Sequence, residues 1–303
     1  MGNDLMKHLK LYEMYAVSEP YSKPWVEEYK RLNWDQRDFI RKYEGEFNKE
    51  TGLWDFPRSV RVSKSFGKPE RNIGIKSFTI PFGTINGSFD CSDNYLETLE
   101  NGPKEVYGDF NVSNNELTSI KGCPKFVTGN FNCSANKIKS LEEISYVTGD
   151  IFLMDNELTN LKGLPLLYKG KEINAYNNPL KSVEGLPLYI QSTRKVSGET
   201  VFQAIIPWYK DFCQAYKNYN TELRMYGNFK EFSDLFEETD DKKIIEKIIL
   251  FFKRMKKDGR LQIFIEASEI LNMIHPEVYQ ILRNEIGPDS MDALIGGNAL
   301  GLF

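Results

Sequence analysis

One asparagine recurs through the middle of this chain and restricts what that part can fold into. Asn94, Asn115, Asn136, Asn156 and Asn178 stand 21, 21, 20 and 22 residues apart. Two positions after each comes Leu96, Leu117, Ile138, Leu158 or Leu180, and five positions after comes Leu99, Ile120, Leu141, Leu161 or Val183. Three positions before lie Cys91, Val112, Cys133, Leu153 and Ala175, and five before lie Phe89, Phe110, Phe131, Ile151 and Ile173. Gly87, Gly108, Gly129, Gly149 and Gly170 open the units. Pro103, Pro124, Pro165 and Pro187 recur near their ends, and Ser145 breaks that column in a unit one residue short.

The columns have a physical reading. Strand side chains alternate between faces, so the residues five and three before the Asn point inward together. The apolar residues two and five after it fill the same core from the turn that follows. A short amide at the corner can satisfy backbone groups of the bend and bond from coil to coil. Glycine offers the corner permissive dihedrals, and proline restricts the return segment. One coil cannot bury its apolar side alone, whereas stacked coils share a continuous core. The segment therefore reads as a solenoid. A worn sixth unit precedes the clear five: Ile75, Phe78 and Ile85 fit its columns, and its first strand is expected near Phe66 to Arg71.

Over residues 87–190 the pattern resembles the leucine-rich-repeat family in its short form, with a unit of about 21 residues. Units such as GNFNCSANKIKSLEE are similar to those of repeat proteins from tailed phages and some bacteria, and more distantly to secreted bacterial effectors with LP-containing repeats. The resemblance implies an α/β fold, a short leucine-rich-repeat solenoid with a parallel strand stack. It also implies protein–protein recognition, by a phage-encoded protein that binds a host or defence protein. A virion structural component is one alternative. A repeat-targeted enzyme, with its chemistry in the C-terminal helices, is the other.

Helical patterns flank the repeat. In PWVEEYKRLNWDQRDFIRKYEGEF, residues 24–47, Trp25, Tyr29, Leu32, Trp34, Phe39, Ile40, Tyr43 and Phe47 occupy one face of a helix or of two short ones, with Asn33 placed to cap the second. TGLWDFPRSV at 51–60 reads as a turn into the solenoid. Beyond Leu188 the repeat stops. KKIIEKIILFFKRMKKDG follows Asp240 and Asp241, carries lysines and an arginine near its end, and stops at Gly259, as the helix dipole favours. Segments 229–236, 261–274 and 276–286 add further helical pattern, and Pro207 splits or bends the one before them. The organisation is an N-terminal helical cap (1–57), the solenoid (58–192), an all-helical C-terminal domain (198–289) and an apolar tail (290–303) that is either pinned to the body or offered to a partner.

On the stacked strands the alternate residues face outward and form one concave surface. They run from Asp90 and Ser92 through Asn111 and Ser113 to Asn132 and Ser134, then Phe152 and Met154, then Asn174 and Tyr176. The abrupt appearance of Phe, Met and Tyr has two readings. Either a partner binds there, since aromatic and Met side chains favour interface centres, or the C-terminal part folds back over them. The candidate partner-binding set is Phe152, Met154, Asn174, Tyr176, Asn132 and Asn111.

Motifs for catalysis are missing from the sequence. His8 and His275 are 267 residues apart and belong to no metal-binding pattern, and no G-x-S-x-G elbow or GKS/GKT phosphate loop occurs. No catalytic residue, metal or cofactor is assigned. Cys91, Cys133 and Cys123 occupy packing positions, and Cys213 sits in an apparent helix where burial is the default. The basic stretches 58–76 and 253–260 lack regular aromatic interleaving and do not make nucleic acid the expected partner. The chain, 303 residues with net charge −4, has no run of about 18 apolar residues. Its first residues, MGNDLMKHLKLYEMY, lack the apolar core of a signal peptide. A cytoplasmic protein with a protein partner of host origin is the expectation, with the virion as the other location.

Overall fold

The computed structural model describes residues 26–62, 74–190 except 142, 143, 145 and 171, 215–223 except 217, and 241–287. The chain begins with helices α1 (Val26–Arg31) and α2 (Trp34–Lys42). Asn33 caps α2 as expected: its side chain accepts from the Gln36 N–H, and the Gln36 side chain accepts from the Asn33 N–H, a capping box. Phe39 and Ile40 point from α2 into the core beside Trp54 and Phe56.

Strands follow in chain order: β1 (Glu46–Asn48), β2 (Leu53–Phe56), β3 (Val60–Arg61) and β4 (Phe82–Ile85). Each repeat unit then contributes two. They are β5 (Phe89–Asp90) and β6 (Glu105–Val106), β7 (Phe110–Asn111) and β8 (Phe126–Val127), and β9 (Phe131–Asn132) and β10 (Tyr146–Val147). β11 (Ile151–Phe152), β12 (Leu167–Tyr168), β13 (Ile173–Asn174) and β14 (Tyr189–Ile190) complete the series. One six-stranded sheet runs β1-β2-β4-β6-β8-β10, a second runs β3-β5-β7-β9-β11-β13, and β12 pairs with β14. All pairings are parallel except β1 with β2. The architecture is a parallel-strand solenoid with helices at both ends.

Three differences from the sequence reading have physical reasons. TGLWDFPRSV is not a plain turn, because Trp54 and Phe56 alternate into the core as a strand must and β2 lies between β1 and β4 in the first sheet. The worn unit starts its strand at Val60, paired with Phe89, rather than near Phe66 to Arg71. Val60 and Val62 supply the two buried side chains that the position needs, which a polar, basic stretch cannot; residues 66–71 lie outside the described set. Finally, the glycines opening the units are required by close approach rather than by unusual dihedrals. A Cβ on Gly108 would come within 2.6 Å of the Gly87 carbonyl carbon in the preceding coil. The left-handed positions lie elsewhere, at Asn101, Gly122, Gly163 and Gly185 in one column and at Asp93, Asn114, Ala135, Asp155 and Asn177 in another.

The conserved geometry of the corner comes from the Asn column. Asn136, buried, accepts through Oδ1 from the Leu117 N–H (3.0 Å) in the coil before. Its Nδ2 donates to the carbonyls of Val112 (3.0 Å), Cys133 (3.0 Å) and Ser134 (3.2 Å). Asn94, Asn115, Asn156 and Asn178 repeat the pattern, so each amide ties its own corner to the preceding coil. Leu96, Leu117, Leu158 and Leu180 are buried below them.

At the far end, helical residues 215–223 and helices α3 (Asp241–Lys257), α4 (Leu261–Ile274) and α5 (Pro276–Ile286) sit on the last coil. Gly259, with φ 74°, ends α3 as its sequence implied. Hydrogen bonds join helices to coil. The Gly185 N–H donates to the Ile274 carbonyl (2.7 Å), the Tyr216 hydroxyl to the Pro187 carbonyl (2.7 Å), and His275 Nε2 lies 2.8 Å from the Leu186 carbonyl oxygen. Cys213, Pro207, segment 229–236 and the tail 290–303 lie outside the described residues.

Candidate functional site

The second sheet builds the outward face. Each coil donates backbone bonds to the next: Cys133, for example, to the Phe152 carbonyl (3.0 Å), flanked by Phe131 to Asp150 (2.9 Å) and Ala135 to Met154 (2.9 Å). Register is in step, so Arg61, Asp90, Asn111, Asn132, Phe152 and Asn174 form one row, a residue per rung. The residues two further along, Ser92, Ser113, Ser134, Met154 and Tyr176, form the row beside it. Phe89, Cys91 and their counterparts point the other way into the core, as the period of two requires.

Local hydrogen bonds lock the polar rungs. Asn111 Oδ1 accepts from both the N–H (3.1 Å) and the hydroxyl (2.8 Å) of Ser113. Asn132 Oδ1 accepts from the Ser134 N–H (3.0 Å). Asp90 plays the same part with Ser92, through its N–H (3.0 Å) and hydroxyl (2.8 Å). These are Asx turns, which orient the amide. With Oδ1 held, the Nδ2 groups of half-buried Asn111 and Asn132 make no hydrogen bond among the described residues. The Ser134 hydroxyl is buried and also unpartnered.

Beyond these rungs the face turns apolar. Tyr176 is 47% exposed, and Phe152 and Met154 are half-buried beside it. The described C-terminal helices dock at Gly185 to Pro187, on the end of the stack. Asn174 is buried, unlike Asn111 and Asn132; its Oδ1 accepts from the Tyr176 N–H (3.1 Å) and its Nδ2 donates to Glu172 (3.3 Å).

The first sheet presents a feature the repeat columns did not announce. Tyr107, Phe126 and Tyr146 form a ring ladder along its outer side, with centroids 5.5 and 4.9 Å apart, and the Lys169 ammonium lies over the last ring. Its inner side is Val106, Val127 and Val147, and buried Tyr168 continues that column in β12. That column of β-branched and aromatic residues, eleven or twelve after the Asn, was the available signal. A further ladder was invisible: the side chains of Ser59, Ser88, Asp109, Asn130 and Asp150 each accept a backbone N–H from the following coil.

Other features carry structural duties. Cys91 and Cys133 are core residues whose thiols burial pushes up, and half-buried Cys123 packs against the same core. Arg58, Arg61 and Lys76 of the basic stretch pair with Glu44 (3.0 Å), Asp90 (3.3 Å) and Glu97 (2.6 Å). Lys253 pairs with Glu285, and Arg260 lies 3.6 Å from Glu222. Among the described residues no group of three His, Cys, Asp or Glu could hold a metal ion, and no helix is long and apolar enough to cross a membrane.

The chain matches no protein-family model, no curated protein and no solved structure.

Proposed function

We propose that this chain is a protein-recognition module of leucine-rich-repeat type, with its contact centre at Phe152, Met154 and Tyr176. The observation carrying this reading is the step in the outward face, from locked small polar rungs to an exposed Tyr beside Phe and Met. Phe152 stands on a strand, and the backbones of Met154 and Tyr176 just beyond the strand ends accept inter-coil bonds, so little ordering cost is added when a partner covers them. Burying one such side chain fully is worth about 1.5–3 kcal/mol, which makes the cluster a natural hot spot. The resemblance of the repeat to units in tailed-phage proteins supports a phage-encoded binder of a host or defence protein. Tagged full-length chain and its Tyr176→Ala and Met154→Ala variants, used for capture from bacterial lysate, test the reading. A stoichiometric protein held by the parent and lost from the folded variants supports it; one held equally by all three moves the contact elsewhere.

A further inference from the structure

The outward face is acidic along both of its borders. On one side exposed Asp109 and half-buried Asp150 stand two residues before Asn111 and Phe152, and Glu172 continues that column in the next coil. On the other side Asp93 and Asp155, both exposed, hold the left-handed corner just past Ser92 and Met154. Among the described residues of these columns Arg61 is the one cation, and Asp90 holds it (3.3 Å). Asp109 accepts the Asn130 N–H (2.7 Å), Asp93 the Asn114 amide (2.6 Å) and Asp155 the Asn177 amide (2.6 Å). Those donors are neutral, so the three carboxylates keep their charge. Lys137 and Lys139, beyond the corner, are paired with Glu116 and Glu157. Between the borders, the Nδ2 groups of Asn111 and Asn132 and the buried Ser134 hydroxyl lack acceptors among the described residues.

Resting on the recognition surface assigned above, we infer that its occupant is an extended basic peptide segment of a partner protein. Lys or Arg side chains meet the acidic borders, backbone carbonyls take the unpartnered donors between them, and an apolar residue packs on Phe152, Met154 and Tyr176. Successive side chains of an extended chain point to opposite sides, so one segment laid along the rows reaches both borders. From Phe152 to the coil of Asp109 is two rungs, about 10 Å. An extended chain advances about 3.3 Å per residue, so cation and anchor stand about three residues apart. The protein also contains its own controls. Asn130 holds the place of Asp109 one coil on and accepts the Asp150 N–H (2.7 Å) in the same way. Asn114 and Asn177 hold the place of Asp93 and Asp155 with φ 55° and 56°. Asn at these three positions therefore removes charge and keeps the acceptor and the corner.

Fluorescence anisotropy with two labelled Gly/Ser dodecapeptides tests this. In one, a central Phe has Lys three and four residues to either side; the other has Glu at those places. In about 0.01 M salt, where charges act over about 30 Å, the parent protein is expected to bind the basic peptide at least about tenfold more tightly. The Asp93→Asn/Asp109→Asn/Asp155→Asn triple variant is expected to lose about tenfold in affinity for it, the combined effect of three exposed ion pairs. Tyr176→Ala is expected to weaken both peptides about tenfold. In about 1 M salt, which screens beyond about 3 Å, the parent's preference should vanish without any mutation. A preference that survives that salt, or a triple variant that melts like the parent and binds the basic peptide unchanged, overturns the basic selectivity. Loss on Tyr176→Ala would then leave the apolar recognition site standing. Basic selectivity with Tyr176→Ala binding like the parent supports the charge inference and refutes the contact centre instead. Equal binding of the two peptides, or none at millimolar concentration, overturns the proposal. So does self-association abolished by Tyr176→Ala, which would assign the face to a second copy of the chain.

Discussion

Replacing Asn136 separates the two duties of its amide. Three carbonyls receive its Nδ2, but each keeps another donor. Val112 retains Asn115 Nδ2 (3.1 Å), Cys133 retains Asn156 Nδ2 (3.1 Å), and Ser134 retains the Asn114 N–H (2.9 Å). The Leu117 N–H has no such reserve, since it donates to Asn136 Oδ1 alone. Asn136→Ala therefore orphans one buried donor, costing about 1–3 kcal/mol, and loses further net hydrogen bonding of about 1 kcal/mol. Asn136→Asp keeps the Leu117 bond but aims a carboxylate oxygen at three carbonyls within 3.2 Å. An uncompensated buried charge costs several kcal/mol, so Asp is the worse substitution at neutral pH although it is the closer in shape.

The sign with pH follows. The carbonyls and burial hold the new carboxyl of the folded variant above its unfolded value of about 3.9. Over that interval the folded state binds more protons than the unfolded one, so stability falls as pH rises. The deficit of Asn136→Asp is smallest below about pH 3.9 and grows as pH climbs through the raised folded value. Urea denaturation followed by far-ultraviolet circular dichroism, at neutral and acidic pH, measures both effects. A neutral-pH ranking of Ala below Asp in stability, or an Asp deficit unchanged by acid, would refute the assignment of donor and acceptor roles in the column.

Three further outcomes are expected. Ala135 holds φ 54° in a column otherwise filled by Asp and Asn, and the Asn114 amide reaches Asp93 (2.6 Å) as Asn177 reaches Asp155 (2.6 Å). Ala135→Asn should therefore stabilise by about 1 kcal/mol, read as a higher urea midpoint. Gly108→Ala drives a Cβ against the preceding backbone and should cost over about 3 kcal/mol, whereas Gly52→Ala, with φ 72° but open space around it, should cost about 1 kcal/mol; thermal melts distinguish the two. Thiol labelling of native protein should leave Cys91 and Cys133 unmodified until the fold opens, because burial disfavours their thiolates, while Cys123 reacts first of the three.

The stacked coils were legible because the repeat is a one-dimensional constraint. Each column must serve the same place in every coil, so Phe89, Cys91, Leu96 and Leu99 predict their successors' burial without any knowledge of long-range contacts. The helices at 34–42 and 241–257 were legible for a similar reason: capping residues, periodicity and end charges are local. The outward alternation at Phe152, Met154 and Tyr176 was readable too, but Asn174 was not. Whether a polar residue at an outward position meets solvent depends on the packing around it, and Asn174 is buried where Asn111 and Asn132, with the same turn, are half-buried. The same limit applies between coils. That Gly108 must lack a Cβ, that Val60 rather than a later residue opens the worn unit, and that His275 and Tyr216 meet the Leu186 and Pro187 carbonyls all depend on distances between segments far apart in the chain. Periodicity specifies which side chains turn inward; close approach of backbones, and the pairing of groups across coils, exists only once the coils are stacked.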